Sequence, residues 1–250
     1  MRHALVTGGG SGIGLAVAHA LSRRGFALTL AGRDAGRVSA AAAGLAHAQA
    51  LACDVTDTAQ VGRMVEAAVE RVGPVSVLVN NAGVVCPATF ARQSDADWEA
   101  MWRTNVMGAV HCIRAVLPAM RSDPGGGRIV NIASTASLKG YSQVSGYVAT
   151  KHALLGLTRA LALELASTAV TVNAVCPGYA DTEIIREAVG SIVRRTGRTA
   201  SEARAVFSGA NPQGRLIDPK EVADAVCWLV GDGARSVTGQ ALVVAGGEVM

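Results

Sequence analysis

Short apolar runs rich in β-branched residues alternate with longer stretches of helical period through almost all 250 residues of the chain. A strand buried on both faces reads as a continuous apolar run, whereas an amphipathic helix places its apolar residues three and four apart. Strands are predicted at His3–Thr7, Ala27–Ala31, Gln49–Cys53, Val75–Val79, Arg128–Ile132, Thr171–Val175 and Ala241–Val244. Helices are predicted near Ile13–Arg24, Ala35–Gly44, Thr58–Val72, Asp95–Met120, Ser145–Ala166 and Pro219–Val230. Strand and helix in turn make βαβ units. One α/β domain over residues 1–250 is therefore expected, doubly wound around a seven-stranded parallel sheet with helices on both faces. The alternation lapses between Tyr179 and Arg215, where the chain is polar and arginine-bearing, and this segment is predicted to be a lid or substrate loop with one or two helices of its own.

Composition narrows the classes of function. Half of the residues are hydrophobic and 17% are charged, which suits a compact globular chain. The longest charge-free stretch, Val38–Cys53, contains Ser, His and Gln and is too short to span a bilayer, so no membrane segment is expected. The opening Met1-Arg2-His3 runs straight into the first apolar strand without the form of a signal peptide, from which a cytoplasmic location is expected. Cys53, Cys86, Cys112, Cys176 and Cys227 show no metal-ligand spacing and are expected to be buried thiols, with no metal site. A net charge of +4 and an aromatic content of 4% give no basic, aromatic-interleaved surface, so nucleic acid is not an expected partner.

The candidate chemistry starts where the first strand ends. Thr7-Gly8-Gly9-Gly10-Ser11-Gly12-Ile13-Gly14 leads from that strand into the first helix. A backbone without Cβ atoms can turn tightly and approach a pyrophosphate there, and the helix N-terminus offers free N–H groups and a positive dipole. Asn80-Asn81-Ala82-Gly83 follows the fourth strand, Tyr147-Val-Ala-Thr-Lys151 opens a helix, and Pro177-Gly178 follows the sixth strand. In order and spacing these motifs, from Ala4 to about Gly247, resemble the short-chain dehydrogenase/reductase family, which implies a single-domain Rossmann fold and an NAD(P) cofactor. The resemblance assigns Gly8, Ser11, Gly12, Ile13, Gly14, Asn81, Ala82, Gly83, Pro177, Gly178 and Thr182 to that cofactor. It also gives it Asp54 and Val55 beside adenine, and both Tyr147 and Lys151. After the second strand, Gly32 stands where an NAD-selective carboxylate would be expected and Arg33 follows. A guanidinium can pair with a 2′-phosphate, so NADP(H) is favoured over NAD(H), which stays open.

Tyr147 and Lys151, four residues apart, share one helix face and can converge on one spot. A phenol needs help to exchange protons near neutral pH, and a neighbouring ammonium is expected to lower its pKa. By resemblance Tyr147 is the general acid in carbonyl reduction, Ser134 holds the substrate oxygen, and Asn105 completes the catalytic set through a water relayed to Lys151. The nearby Ser137, Ser142 and Ser145 are read as turn or capping residues, and His152 as structural because it points about a hundred degrees away from Lys151.

The chain looks most like the 3-oxoacyl and polyketide ketoreductase branch of the family. The expected activity is NADPH-dependent reduction of a ketone, such as a 3-oxoacyl thioester, to the hydroxy product. The alternatives are an NAD-dependent dehydrogenase of a small or cyclic secondary alcohol and a non-catalytic nucleotide-sensing protein. The arginines of the lid, Arg186, Arg194, Arg195, Arg198 and Arg204, are interspersed with Glu183, Glu187 and Glu202. They suit a solvated helical face, and a phosphate-bearing acyl carrier is the sharper alternative. A homotetramer is expected by analogy with the family.

Overall fold

The computed structural model describes all 250 residues. The elements in chain order are β1 (His3–Thr7), α1 (Gly12–Arg23), β2 (Ala27–Gly32), α2 (Ala35–Ala43), β3 (Ala48–Ala52), α3 (Thr58–Val72), β4 (Val75–Asn80) and α4 (Asp95–Trp102). They continue as α5 (Gly108–Ser122), β5 (Arg128–Ile132), α6 (Ser145–Glu164), β6 (Thr171–Pro177), α7 (Glu183–Thr196), α8 (Ala200–Ser208), α9 (Pro219–Leu229) and β7 (Ala241–Val244). All seven strands lie parallel in one sheet of order β3-β2-β1-β4-β5-β6-β7. This is an α/β Rossmann-like fold with the seven predicted strands in place.

Alternation along the strands explains the two layers of helices. Ala4 and Val6 of β1 enter a core with Val17, Leu21, Val222 and Val226 from α1 and α9, while Leu5 between them enters a second core with Met64, Val116 and Leu161 from α3, α5 and α6. A strand buried on both faces needs apolar side chains at every position, as its sequence has. Direction along the sheet reverses between β1 and β4, because the chain winds one way from β1 to β3 and the other way from β4 to β7. The strand ends part there into a crevice where doubly wound folds take their ligands.

The single helix predicted over Asp95–Met120 is divided. Between α4 and α5 lies a π-helical turn, Arg103–Met107. Such a turn accommodates one extra residue in the helical ladder, and hydrophobic period does not reveal one inserted residue. The segment between Tyr179 and Arg215 holds two helices, α7 and α8, the latter opened by a capping box in which Thr199 and Glu202 exchange hydrogen bonds. No helix is long and apolar enough to cross a membrane.

Candidate active site

The glycine loop is built for close approach. Gly8 and Gly12 have φ of +63° and +52°, where side-chain-bearing residues are strained, and a Cβ on Gly14 would collide with the Gly8 carbonyl oxygen and the Asn81 amide. Ser11 is extended and its side chain makes no capping bond, so the first N–H groups of α1 remain available to an anion. The loop is tied to the end of β4: Asn81 and Ala82 donate their backbone N–H groups to Thr7 Oγ1 at 3.0 and 3.1 Å, and the Asn81 amide donates to the Thr7 and Gly8 carbonyls at 3.1 Å. The loop fits a dinucleotide pyrophosphate because Gly8 and Gly12, at positive φ, line the cavity without side chains beside the free N–H groups of α1.

A cavity of about 390 Å³ opens along the crevice. Of the residues expected around the cofactor and substrate, Gly8, Ser11, Gly12, Ile13, Asn81, Ala82, Gly83, Ser134, Tyr147, Lys151, Pro177, Gly178 and Thr182 line it together. Gly14 lies behind the loop as a packing residue. Arg33, Asp54, Val55 and Asn105 do not line it. Arg33 is exposed, while its neighbour Asp34 caps α2 by accepting from the Arg37 N–H at 3.0 Å. Asp54 Oδ1 accepts from the Thr56 N–H at 2.9 Å, and Asp57 takes the N-cap of α3. Val55 is buried against the space beside Gly108.

Asn105, inside the π turn, is buried and its side chain is fully engaged. Its Oδ1 accepts from the Val84 N–H at 2.8 Å, and its Nδ2 donates to the Val84 carbonyl at 2.9 Å and to Thr150 Oγ1 at 3.0 Å. Asn105 thereby fixes the strand-like segment beyond Gly83 against α6, the helix that carries Tyr147 and Lys151.

Lys151 is buried and donates from Nζ to the Ile132 carbonyl at 2.8 Å, and Nζ sits 5.6 Å from the centre of the Tyr147 ring. Burial pushes the lysine down to about 8. The sequence led to the expectation that this ammonium lowers the phenol pKa; in the structure the Tyr147 phenol is raised instead. Loss of solvent outweighs the effect of the facing Ser134 hydroxyl, which acts in the opposite sense. Ser134, at the exit of β5, is the N-cap of a short 3₁₀ turn, Thr135–Ser137, and accepts from the Ala136 N–H at 3.1 Å.

Other expectations fare unevenly. His152 is exposed and its Nδ1 lies 2.9 Å from the Val148 carbonyl on its own helix, away from the cavity. Ser145 is the first residue of α6 but does not cap it; Val144 holds the N-cap without a side-chain bond. Four of the five cysteines are buried and Cys86 is partly exposed. No group of three or more His, Cys, Asp or Glu side chains is placed to hold a metal. Tyr141, Val144, Tyr179 and Ile184 are among the cavity residues that the sequence did not single out. Tyr141 carries a signal, since it is one of only three tyrosines and stands between Ser134 and Tyr147.

Residues 2–191 match the family described as short chain dehydrogenase, and the chain belongs to it. A protein designated ketoacyl reductase in Streptomyces coelicolor is 40% identical over 252 residues, covering 98% of this chain and 95% of its own. The D-beta-hydroxybutyrate dehydrogenase of Rhizobium meliloti is 34% identical, covering 98% and 97%. In three dimensions the chain superposes on the crystal structure of a variant of actinorhodin polyketide ketoreductase with NADPH at a TM-score of 0.93 and 39% identity, covering 99% of this chain and 97% of that one. The protein is thus an oxidoreductase of the short-chain dehydrogenase family.

Proposed function

We propose that the protein reduces a ketone to a secondary alcohol with NADPH, with Tyr147 as the general acid. The observation that carries this reading is the convergence of Ser134, Tyr147 and Lys151 on one wall of a cavity whose other end is the glycine loop. Bound nicotinamide supplies the hydride; the protein must orient the carbonyl and provide a proton. The Ser134 hydroxyl, across from the phenol, donates to the substrate oxygen and positions it. Tyr147, kept protonated by its dry surroundings, gives its proton to that oxygen as negative charge develops there. Lys151, cationic below about 8, favours the phenolate left behind and binds the nicotinamide ribose. Asn105 holds Val84 and Gly83 as a firm floor beside Lys151 and completes the set.

On the nucleotide side, Gly8, Ser11, Gly12 and Ile13 take the pyrophosphate with Gly14 packed behind them, Asn81, Ala82 and Gly83 take the adjoining ribose, and Pro177, Gly178 and Thr182 the nicotinamide. Asp54 and Val55 take adenine, and the exposed Arg33 guanidinium takes the 2′-phosphate that distinguishes NADPH. The similarity to proteins named as ketoacyl and polyketide ketoreductases supports a 3-oxoacyl thioester or related ketone as substrate. Similarity to D-beta-hydroxybutyrate dehydrogenases supports a second reading, NAD-dependent oxidation of a small secondary alcohol by the same residues in reverse. Steady-state assays of a ketone and thioester panel with NADPH and NADH, beside alcohol oxidation with NADP⁺ and NAD⁺, distinguish the two. Turnover of ketones that favours NADPH is expected; exclusive alcohol oxidation with NAD⁺ would establish the second reading. We further propose assembly as a homotetramer.

A further inference from the structure

All three tyrosines of the chain, Tyr141, Tyr147 and Tyr179, line the same cavity, although the fold brings them from three different segments. Tyr147 has a role in the reading above; Tyr141 does not. Its hydroxyl is held by two groups. Tyr141 Oη lies 2.6 Å from Thr135 Oγ1 and 2.5 Å from Glu248 Oε1. A phenol has one proton and a carboxylate can only accept, so Tyr141 donates to Glu248 and the Thr135 hydroxyl donates to Tyr141. The phenol proton of Tyr141 is therefore committed away from a substrate.

Glu248 reaches this position from the segment beyond β7. Gly246 and Gly247, at φ of +59° and +91°, turn the chain there, and the Glu248 side chain is only 1% exposed. Gly178 makes room for it, since a Cβ at that position would come within 2.7 Å of Glu248 Oε2. Lys139 Nζ approaches Glu248 Oε1 to 3.3 Å, donates to the Glu248 carbonyl at 3.3 Å and lies 4.9 Å from the centre of the Tyr141 ring. Glu248 Oε2 is buried and has no hydrogen-bond partner. A buried carboxylate oxygen left unpaired costs stability, so the Glu248 carboxylate is held in place by its other oxygen, which Tyr141 and Lys139 share.

What it holds is a wall. The Tyr141 ring meets the Tyr179 ring edge-on with centroids 6.2 Å apart, and Tyr179 meets Phe207 of α8 at 5.2 Å. A chain of aromatic contacts thus runs from the Glu248 carboxylate across the substrate end of the cavity into the lid. The position of the Tyr141 ring, through its hydroxyl, depends on Glu248.

We propose that Glu248 is a positioning residue that sets substrate affinity by fixing Tyr141, and through it Tyr179, as the aromatic wall of the substrate cavity. This rests on the reading of the cavity as a ketone reductase site. The test compares wild type with Tyr141→Phe, Glu248→Leu, Glu248→Gln and the double variant Tyr141→Phe/Glu248→Leu. Each is assayed for reduction of 2-tetralone and of S-acetoacetyl-N-acetylcysteamine, for NADPH affinity by fluorescence titration, and for 2-tetralone binding to the NADP⁺ complex by calorimetry. Tyr141→Phe and Glu248→Leu are expected to raise the ketone KM, and its dissociation constant, about five- to twentyfold, with kcat and NADPH affinity within about twofold. The double variant should be no worse than the weaker single one, because Glu248 acts only through the Tyr141 hydroxyl. Glu248→Gln, which still accepts that proton, should recover most of the affinity. Unchanged KM in Tyr141→Phe overturns the proposal even if Glu248→Leu fails to fold. So do additive losses in the double variant, or losses of ketone and NADPH affinity in step. A wild type that neither binds nor reduces any ketone overturns the reductase reading itself, and this proposal with it.

Discussion

Lys151 Nζ stands 5.6 Å from the centre of the Tyr147 ring and donates its hydrogen bond to the Ile132 carbonyl at the end of β5. The pair is four residues apart on α6, but the lysine is tethered to the sheet and not to the phenol oxygen. Its charge is thus held in a dry, fixed place before any substrate arrives, the arrangement that lets a developing negative charge be met without reorganisation.

Burial of Lys151 makes stability depend on pH. Its folded value is about 8 against an ordinary 10.5, so between those values the unfolded chain binds the more protons. Stability contributed by this site is complete above 10.5, and it is lost as pH falls through about 8. The gain from pH 8 to 10.5 is on the order of 3 kcal/mol at most. Urea unfolding of wild type and Lys151→Met at pH 7.5, 9 and 10.5 should show the stability difference between them move in favour of wild type by this amount as pH rises, on top of the fall that the raised thiols and phenols give both proteins; parallel curves would count against it.

Gly14→Ala tests the loop. Its Cβ has no space beside the Gly8 carbonyl and the Asn81 amide, so the loop must shift, costing about 1–3 kcal/mol of stability. NADPH affinity should fall by more than about tenfold, since the displaced groups form the pyrophosphate cradle. Gly62→Ala, inside α3 with nothing within 4 Å, is the control; it should leave NADPH affinity unchanged and raise stability by about 0.5–1 kcal/mol.

Asn105→Ala removes three hydrogen bonds and strands the Val84 N–H and carbonyl. A loss of about 2–3 kcal/mol is expected in chemical denaturation. Hydrogen exchange should quicken at Val84 and at residues that follow it. Protection equal to wild type would show that the clamp is dispensable.

Arg33→Ala addresses cofactor choice. The guanidinium is exposed, and Asp34 beside it is occupied with the N-cap of α2 and with Arg37 Nε at 3.6 Å. KM for NADPH should rise about tenfold with KM for NADH nearly constant. Equal effects on both cofactors would remove Arg33 from 2′-phosphate recognition.

The sequence made the sheet legible because its strands are buried on both faces and so are written as unbroken apolar runs. The cavity's main residues were legible for another reason. Glycine loop, Asn81, Ser134, Tyr147 and Pro177 each follow a strand or open a helix, and strand ends in this topology gather at one crevice. What escaped notice depends on three-dimensional closure. The π turn at Arg103–Met107 differs from an α-helix by one residue of register. Glu248 reaches Tyr141 only after the chain has crossed the whole sheet. The Tyr147 phenol is raised and not lowered because burial, which spacing does not report, outweighs the opposing Ser134 hydrogen bond.

Under the proposed function Tyr147 gives the proton during ketone reduction. The most direct test is kcat for reduction of 2-tetralone by Tyr147→Phe at saturating NADPH, beside NADPH affinity measured by fluorescence. A fall of about a hundredfold or more in kcat is expected, with affinity within about threefold of wild type. Turnover within tenfold of wild type in a folded, cofactor-binding Tyr147→Phe would contradict it.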